Sequence, residues 1–178
     1  MPEFEMGFSP CPNDTFIFDA LVNKKIDTEG LDFDIHLEDV QTLNNFALEN
    51  RFDFSKISYG VMPLLLETHT LLNSGGAMGI GVGPLLICKD PHITPDQVNN
   101  LRIAIPGKNT TAYLLFSYVY PEATNISFYV FNEIEAAAEN NTLISIYPNP
   151  AVNHQFNITL PELNANDIVS ITVMDING

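Results

Sequence analysis

Hydrophobic and polar positions alternate in two different ways along this chain. Up to about residue 140, segments with the apolar patterns of strands occur at residues 4–8, 31–37, 52–57, 83–88, 101–105 and 126–131. Helices are expected between them at residues 15–22, 39–49 and 133–139, with another beginning after residue 109. Strands that alternate with helices predict parallel sheets with flanking helices, which is an α/β fold.

Several of these helices have a recognisable start signal in the sequence. Asn13 and Asp14 are preferred N-cap types and are expected to begin the first helix, and Asp39 is expected to cap the second. Residues 94–97 read TPDQ, with proline at the first helical position and glutamine three residues after the capping threonine. These signals fix the expected points at which the chain leaves a strand or loop and enters a helix.

The pattern changes beyond residue 140, where the helical period disappears. Short strands are expected at residues 143–147, 155–160 and 168–173, separated by segments that contain proline. All 7 Lys and Arg residues lie at or before Lys108, and 7 Asn residues occur from Asn141 onward. The joint change predicts an α/β domain over residues 1–140 and a short all-β tail over residues 141–178.

Charge and cysteine content exclude several classes of partner. The chain has 22 acidic against 7 basic residues and a formal net charge of −15, which argues against binding to nucleic acid or anionic membranes. Cys11 and Cys88 fit neither a disulfide framework nor a metal site, although a bridge between them stays open. The sequence shows no secretory signal and no apolar stretch of the ~20 residues that cross a bilayer. We therefore expect a soluble, cytoplasmic protein.

Polar residues follow the expected strand ends. Ser9, Asn13 and Asp14 come after the first strand, residues 56–58 close the third, and residues 109–112 begin the helix after a buried strand. Because ligands of open parallel sheets bind beyond the carboxyl ends of the strands, these segments are expected to share one crevice. Hydroxyl groups, helix N-terminal amides and the Lys56 ammonium favour a carboxylate-bearing ligand. The alternative is that the first loop is a rigid turn and that Thr110 and Thr111 are only helix caps.

The sequence gives little evidence for a nucleotide-binding site or a metal site. The glycine-rich run at residues 74–83 matches neither a phosphate-binding loop nor a dinucleotide fingerprint, so a tight turn is expected there. The four histidines, His36, His69, His92 and His154, are expected at the surface, and no pair of them has metal-ligand spacing. The sequence therefore predicts no metal site.

Six segments, in order, resemble one enzyme family. They are SPCPNDTF at residues 9–16, LEDVQTLN at 37–44, KISY at 56–59, SGGAMG at 74–79, GVGPL at 81–85 and PGKNTTAY at 106–113. In this order and spacing they resemble the 1,4-dihydroxy-6-naphthoate synthases of the futalosine route of menaquinone biosynthesis. The resemblance extends from about residue 4 to about residue 140.

The resemblance implies a fold, a reaction and a set of contacts. The family has a type II periplasmic-binding-protein-like fold, in which two α/β lobes close over the substrate, and this chain is expected to have an incomplete second lobe. The family converts cyclic dehypoxanthinyl futalosine, a small aromatic carboxylate substrate, to 1,4-dihydroxy-6-naphthoate without a metal or an organic cofactor. The implied substrate-contact residues are Lys56, Ile57, Ser58, Thr111 and Ala112, with Ser9, Asn13 and Asp14 lining the same cleft.

Two departures from the family pattern limit what is expected of this chain. The family carries its proton-accepting histidine in an Ile-Ile-His-Glu segment, which this sequence lacks, and His154 is followed instead by Gln155 and Phe156. No catalytic residue is therefore assigned, and the lyase activity is expected to be impaired. The strings YPNP at 147–150 and ITVMDING at 171–178 resemble a type IX secretion sorting domain. The alternatives are a non-catalytic solute-binding protein, a secreted cargo fragment, or a truncated chimera joined near residues 140–142.

Overall fold

A computed structural model describes residues 3–77, 85–88 and 92–129, together with the backbone of residues 144–147. The chain divides into two compact units. Unit 1 comprises Met1–Ala77 and Gly107–Leu114, and unit 2 comprises Met78–Pro106 and Leu115–Gly178. Every residue of the predicted binding site belongs to unit 1.

Unit 1 is built around a parallel sheet of three strands. The elements in chain order are β1 (Glu3–Phe8), α1 (Pro12–Val22), β2 (Asp32–Leu37), α2 (Val40–Leu48), β3 (Phe54–Ser55) and a short 3₁₀ helix (Met62–Leu64). The strand order is β2-β1-β3, and β1 pairs in parallel with both neighbours. The carboxyl ends of all three strands therefore lie at the same edge of the sheet.

The two faces of β1 contact different layers. On one face, Phe8 packs against Phe18 of α1, with ring centroids 4.7 Å apart. On the other face, Gly7 leaves room for Leu43 of α2 and for Phe52, since a Cβ at this position would lie 2.7 Å from atoms of both side chains. A glycine is needed here because real Cβ atoms do not approach carbon atoms that closely. Helices thus flank this small sheet on both sides.

The described part of unit 2 also contains a sheet. Its elements are β4 (Leu85–Ile87), a 3₁₀ helix (Pro95–Asn100), β5 (Ile103–Ile105), β6 (Ile126–Phe128) and β7 (Ile144–Tyr147). The strand order is β4-β7-β5-β6, where β5 runs parallel to β6 and β7, and β4 runs antiparallel to β7. All three residues of β5 are buried, as the continuous apolar run predicts. The helix α3 (Thr111–Val119) begins in unit 1 and continues into unit 2.

The structure confirms the predicted α/β class with parallel sheets. Asp39 caps α2 as predicted, because its carboxylate accepts the backbone N–H groups of Gln41 and Thr42. The third strand is shorter than predicted, since only Phe54 and Ser55 of residues 52–57 pair with β1. None of the helices in the described ranges combines the length and the hydropathy needed to cross a membrane.

The start of α1 corrects one prediction. Cys11 is the N-cap residue, with Pro12 at the first helical position, so neither Asn13 nor Asp14 caps the helix. Proline suits the first position because its fixed φ is helical and its missing N–H would have no partner there anyway. Asp14 instead lies in the first turn, where its carboxylate bonds to groups outside the helix.

Several predictions fall on residues outside the described ranges. They are the helix at 133–139, the strands at 155–160 and 168–173, and the glycines at 79, 81 and 83. The predicted strand at 143–147 is present as β7, which pairs with β4 and β5. The domain boundary near residue 140 and the likeness of the tail to a sorting domain stay predictions.

Candidate functional site

An ion pair between Asp14 and Lys56 lies at the carboxyl edge of the unit 1 sheet. Lys56 follows β3 directly, and its Nζ lies 2.9 Å from Asp14 Oδ1. The side chains are only 19% and 8% exposed, respectively, so both charged groups are largely removed from water. An ammonium has three N–H donors and this contact uses one of them, which leaves two for a ligand.

Ser9 completes the surroundings of the Asp14 carboxylate. The Ser9 hydroxyl donates to Asp14 Oδ2 at 2.6 Å, and the Ser9 backbone N–H donates to the same oxygen at 3.2 Å. Three donors therefore compensate the buried negative charge, as a carboxylate in this environment requires. Asp14 in turn holds the Lys56 side chain in one position at the strand edge.

A second polar contact joins α2 to the loop after β3. Asn44 is fully buried, and its Oδ1 accepts the backbone N–H of Ser58 at 2.9 Å. Its Nδ2 donates to Ser58 Oγ at 3.1 Å and to the backbone carbonyl of Asn109 at 3.3 Å. A side chain of α2 thus contacts two of the three predicted binding segments.

The segment that begins α3 is held by further hydrogen bonds within unit 1. Gln41 Oε1 accepts the backbone N–H of Asn109 at 3.2 Å, and the Gly60 backbone N–H donates to Thr111 Oγ1 at 3.2 Å. A Cβ at Gly60 would lie 2.6 Å from the Thr110 carbonyl oxygen, so this close approach requires glycine. The loop after β3 and the start of α3 are therefore in direct contact.

Thr110 behaves as the capping interpretation predicts. It is buried, its Oγ1 accepts the Tyr113 backbone N–H at 3.3 Å, and its hydroxyl donates to the Gly107 carbonyl at 2.7 Å. Thr111 and Ala112 are the first residues of the helix that follows. Backbone N–H groups in the first turn of a helix have no acceptor within the helix and favour anions.

The structure brings the predicted site residues together in unit 1. Ser9, Asp14 and Lys56 form one hydrogen-bonded group, and Ser58 and Thr111 are linked through the contacts of Asn44 and Gly60. The remaining three differ in exposure: Asn13 is half-buried, Ile57 packs against the apolar cluster of Ala47, Val61 and Leu65, and Ala112 is buried. The binding role of all eight stays a prediction.

The donor groups among these residues are of the kinds that bind anions. A cation, a hydroxyl group and the N-terminal amides of α3 are all donors, and they suit a carboxylate. None of the residues in the described network is a histidine. His36 was expected at the surface, but it is half-buried and its ring stacks on Phe52 with centroids 4.7 Å apart.

One group of possible metal ligands lies elsewhere on the unit 1 sheet. Glu5, Asp34 and His36 each place a ligand atom within 4.8 Å of the others. Two of the three residues are exposed, and exposed acidic groups are common without an ion. The prediction of no metal site stays a prediction. Cys11 is a free thiol, so the bridge to Cys88 that the sequence leaves open does not form.

The family model described as menaquinone biosynthesis matches residues 4–145. The chain belongs to this menaquinone biosynthesis family. The match includes all predicted site residues and reaches slightly beyond the expected limit near residue 140. It confirms the family that the six sequence segments indicate.

Two named synthases are similar to this chain. A 1,4-dihydroxy-6-naphtoate synthase from Thermus thermophilus is 45% identical over 117 residues, and one from Streptomyces coelicolor is 37% identical over 112 residues. The alignments cover 66% and 63% of this chain. They cover only 42% and 38% of the relatives, so this chain spans less than half of their length.

One solved structure shares the fold of this chain. The crystal structure of protein AF1704 from Archaeoglobus fulgidus superposes with a TM-score of 0.74 at 27% identity. The superposition covers 81% of this chain and 53% of the other. The shared architecture is the α/β fold with parallel sheets.

Sequence reasoning missed two polar residues of the site. Asn44 and Gln41 lie within one of the matched segments, but their side chains face Ser58 and Asn109, which lie 14 and 68 residues further along the chain. The available signal for Asn44 was an amide in phase with the buried positions Leu43 and Ala47 of an amphipathic helix. A polar residue on a buried face needs a partner and therefore indicates a tertiary contact.

Proposed function

We propose that this chain acts in menaquinone biosynthesis by binding the aromatic carboxylate substrate or product of the 1,4-dihydroxy-6-naphthoate synthase reaction. The observation that carries the proposal is the largely buried Lys56 ammonium, held at 2.9 Å from Asp14 at the carboxyl edge of the unit 1 sheet. The family membership and the 45% identity to a named synthase support the same substrate class.

Three kinds of donor hold the ligand in this proposal. Lys56 supplies the charge through the N–H groups that Asp14 does not use, and Ser58 supplies a hydroxyl. The amides of Thr111 and Ala112 supply the partial positive charge of a helix N-terminus. Charge-assisted hydrogen bonds of this type are about twice as strong as neutral ones, so the carboxylate end of the ligand provides most of the specificity.

The proposed reaction is the conversion of cyclic dehypoxanthinyl futalosine to 1,4-dihydroxy-6-naphthoate, at a reduced rate. The sequence contains no Ile-Ile-His-Glu segment to provide the family's proton acceptor. Loss of a positioned base removes about 10²–10⁴-fold of rate. We propose that binding is retained and turnover is impaired, in the cytoplasm and without nucleic acid or membrane partners.

The test is calorimetric titration of the chain with 1,4-dihydroxy-6-naphthoate, comparing Lys56→Met with Lys24→Met. Both changes replace a lysine of unit 1 by an apolar side chain of similar length, but Lys24 is 82% exposed and pairs only loosely with Asp32 at 3.4 Å. We expect Lys56→Met to raise Kd by about 10–100-fold, which corresponds to the loss of one charged hydrogen bond. Lys24→Met should leave Kd unchanged.

Three other results would distinguish the hypotheses. Equal affinity in the unaltered chain and the Lys56→Met variant would contradict the proposed site. Turnover of cyclic dehypoxanthinyl futalosine at the rate of the Thermus thermophilus relative would contradict the proposed impairment. Binding with no turnover above the uncatalysed background would favour the solute-binding alternative, because the proposed lyase retains a reduced rate.

A further inference from the structure

The orientation of the Asn44 side-chain amide is fixed by its neighbours. The Ser58 backbone N–H can only donate, so the Asn44 atom at 2.9 Å from it must be the oxygen. The Asn109 carbonyl can only accept, so the atom at 3.3 Å from it must be the nitrogen. Two independent backbone groups therefore require the same assignment of oxygen and nitrogen.

This orientation determines which way the Ser58 hydroxyl can donate. Asn44 Nδ2 also donates to Ser58 Oγ at 3.1 Å, so that oxygen is an acceptor in this contact. A serine hydroxyl has a single hydrogen, which is then available for another acceptor. Asn44 thus makes Ser58 a donor toward whatever occupies the site, which matches a carboxylate oxygen.

The same helix fixes the second binding segment. The backbone of Asn109 is held at its N–H by Gln41 and at its carbonyl by Asn44, from positions one helical turn apart on α2. The residues that follow Asn109 are the Thr110 cap and then Thr111 and Ala112, whose amides begin α3. The placement of these amides therefore depends on the two α2 side chains.

We infer that Asn44 is a positioning residue, which directs the Ser58 hydroxyl toward the ligand and fixes the start of α3 relative to the loop after β3. The inference rests on the proposed function for the identity of the ligand. A fully buried amide that only filled space would be less favourable than an apolar side chain of similar volume. The free-energy cost of burying the Asn44 amide is offset by its hydrogen bonds to the loop after β3 and to the start of α3.

The test is a double-mutant cycle read by the Kd of 1,4-dihydroxy-6-naphthoate. In the unaltered chain, Ser58→Ala should raise Kd about tenfold, because a hydrogen bond to a charged group is lost. Asn44→Asp replaces the donor by a second acceptor, so the Ser58 hydrogen then points to the new carboxylate. In that background Ser58→Ala should raise Kd less than about twofold.

The matched control is Asn50→Asp, the same chemical change at an exposed position in the turn after α2. In this background Ser58→Ala should again raise Kd about tenfold, because the two sites do not share a partner. The same fold-change in all three backgrounds would overturn the inference, since Asn44 would then have no influence on Ser58.

A second measurement needs neither a ligand nor a substitution. Both Nδ2 hydrogens of Asn44 are donated, so in the ligand-free chain its side-chain NH₂ signals should exchange with water at least about fivefold more slowly than those of the exposed Asn50. Equal exchange at Asn44 and Asn50 would overturn the inference. This test remains possible even where the Asn44→Asp variant fails to fold. Absence of naphthoate binding by the unaltered chain would overturn the proposed function, while slow exchange would still support the positioning role.

Discussion

The two units of this chain bury different kinds of side chain. Unit 1 buries Asp14, Asn44 and Thr110 together with its apolar core. Among the described residues of unit 2, the buried side chains are all apolar, with Phe116, Leu86 and Ile103 the largest. Buried polar groups cost stability unless each finds a partner, and Asp14, Asn44 and Thr110 each have hydrogen-bond partners. Because the predicted site residues also lie in unit 1, we expect the binding chemistry there, whereas the described part of unit 2 contributes packing.

The largest expected effect on stability comes from a substitution in unit 2. Phe116 is fully buried, so Phe116→Ala should lower the free energy of unfolding by about 3–5 kcal/mol in urea denaturation. Leu115→Ala is the control, since Leu115 is 39% exposed on the same helix, and it should cost much less. An equal loss of unfolding free energy in the two variants would contradict the burial of Phe116 and the exposure of Leu115 on α3.

In unit 1, the free energy of unfolding should depend on the pairing of buried charges more than on the volume of one side chain. Asp14→Leu leaves the Lys56 ammonium without its carboxylate and should lower the free energy of unfolding by about 1–3 kcal/mol, discounted because Lys56 is partly exposed. Adding Lys56→Met should recover most of this loss, since replacing both charges by apolar groups is often neutral.

The recovered double variant separates stability from binding. It should melt close to the unaltered chain and yet fail to bind 1,4-dihydroxy-6-naphthoate. Asp19→Leu, at an exposed ion pair with Lys25, is the control and should change stability little. A double variant that is as unstable as Asp14→Leu alone would contradict the role of the ion pair as a matched set of charges.

The contrast between local and distant partners also explains what the sequence could predict. Asp39 was assigned correctly as a cap because its partners, Gln41 and Thr42, lie within the same turn. Asp14 was assigned incorrectly as a cap because its partner Lys56 lies 42 residues away and outweighs the local preference. Asn44 was not identified as part of the site for the same reason. The α/β class was predictable because it depends on periodicity alone.

The smallest expected effect concerns the exposed pair of Asp19 and Lys25. The hydrogen bond from Lys25 Nζ lowers the pKa of Asp19 below its ordinary value, with a further bond from Asn23 acting in the same direction. A lowered pKa in the folded state contributes stability above the unfolded value of 3.8, which is lost as pH falls through the folded pKa.

Lys25→Met should therefore raise the pKa of Asp19 toward 3.8 in an NMR titration. Because the Asp19 side chain is 45% exposed and this ion pair is screened by water, the melting temperature near neutral pH should change little. Any difference in stability between the two chains should disappear in acid. If Lys25→Met strongly destabilised the chain at neutral pH, the exposed pair of Asp19 and Lys25 would matter as much as the buried pair of Asp14 and Lys56, contrary to our expectation.

We propose that the buried polar groups of unit 1 bind an aromatic carboxylate. The most direct measurement is hydrogen exchange by mass spectrometry with and without 1,4-dihydroxy-6-naphthoate. We expect slower exchange at residues 9–14, 56–60 and 107–112 when the ligand is present, and unchanged exchange at residues 98–106. Protection confined to residues 98–106, or no protection at the three unit 1 segments, would contradict it.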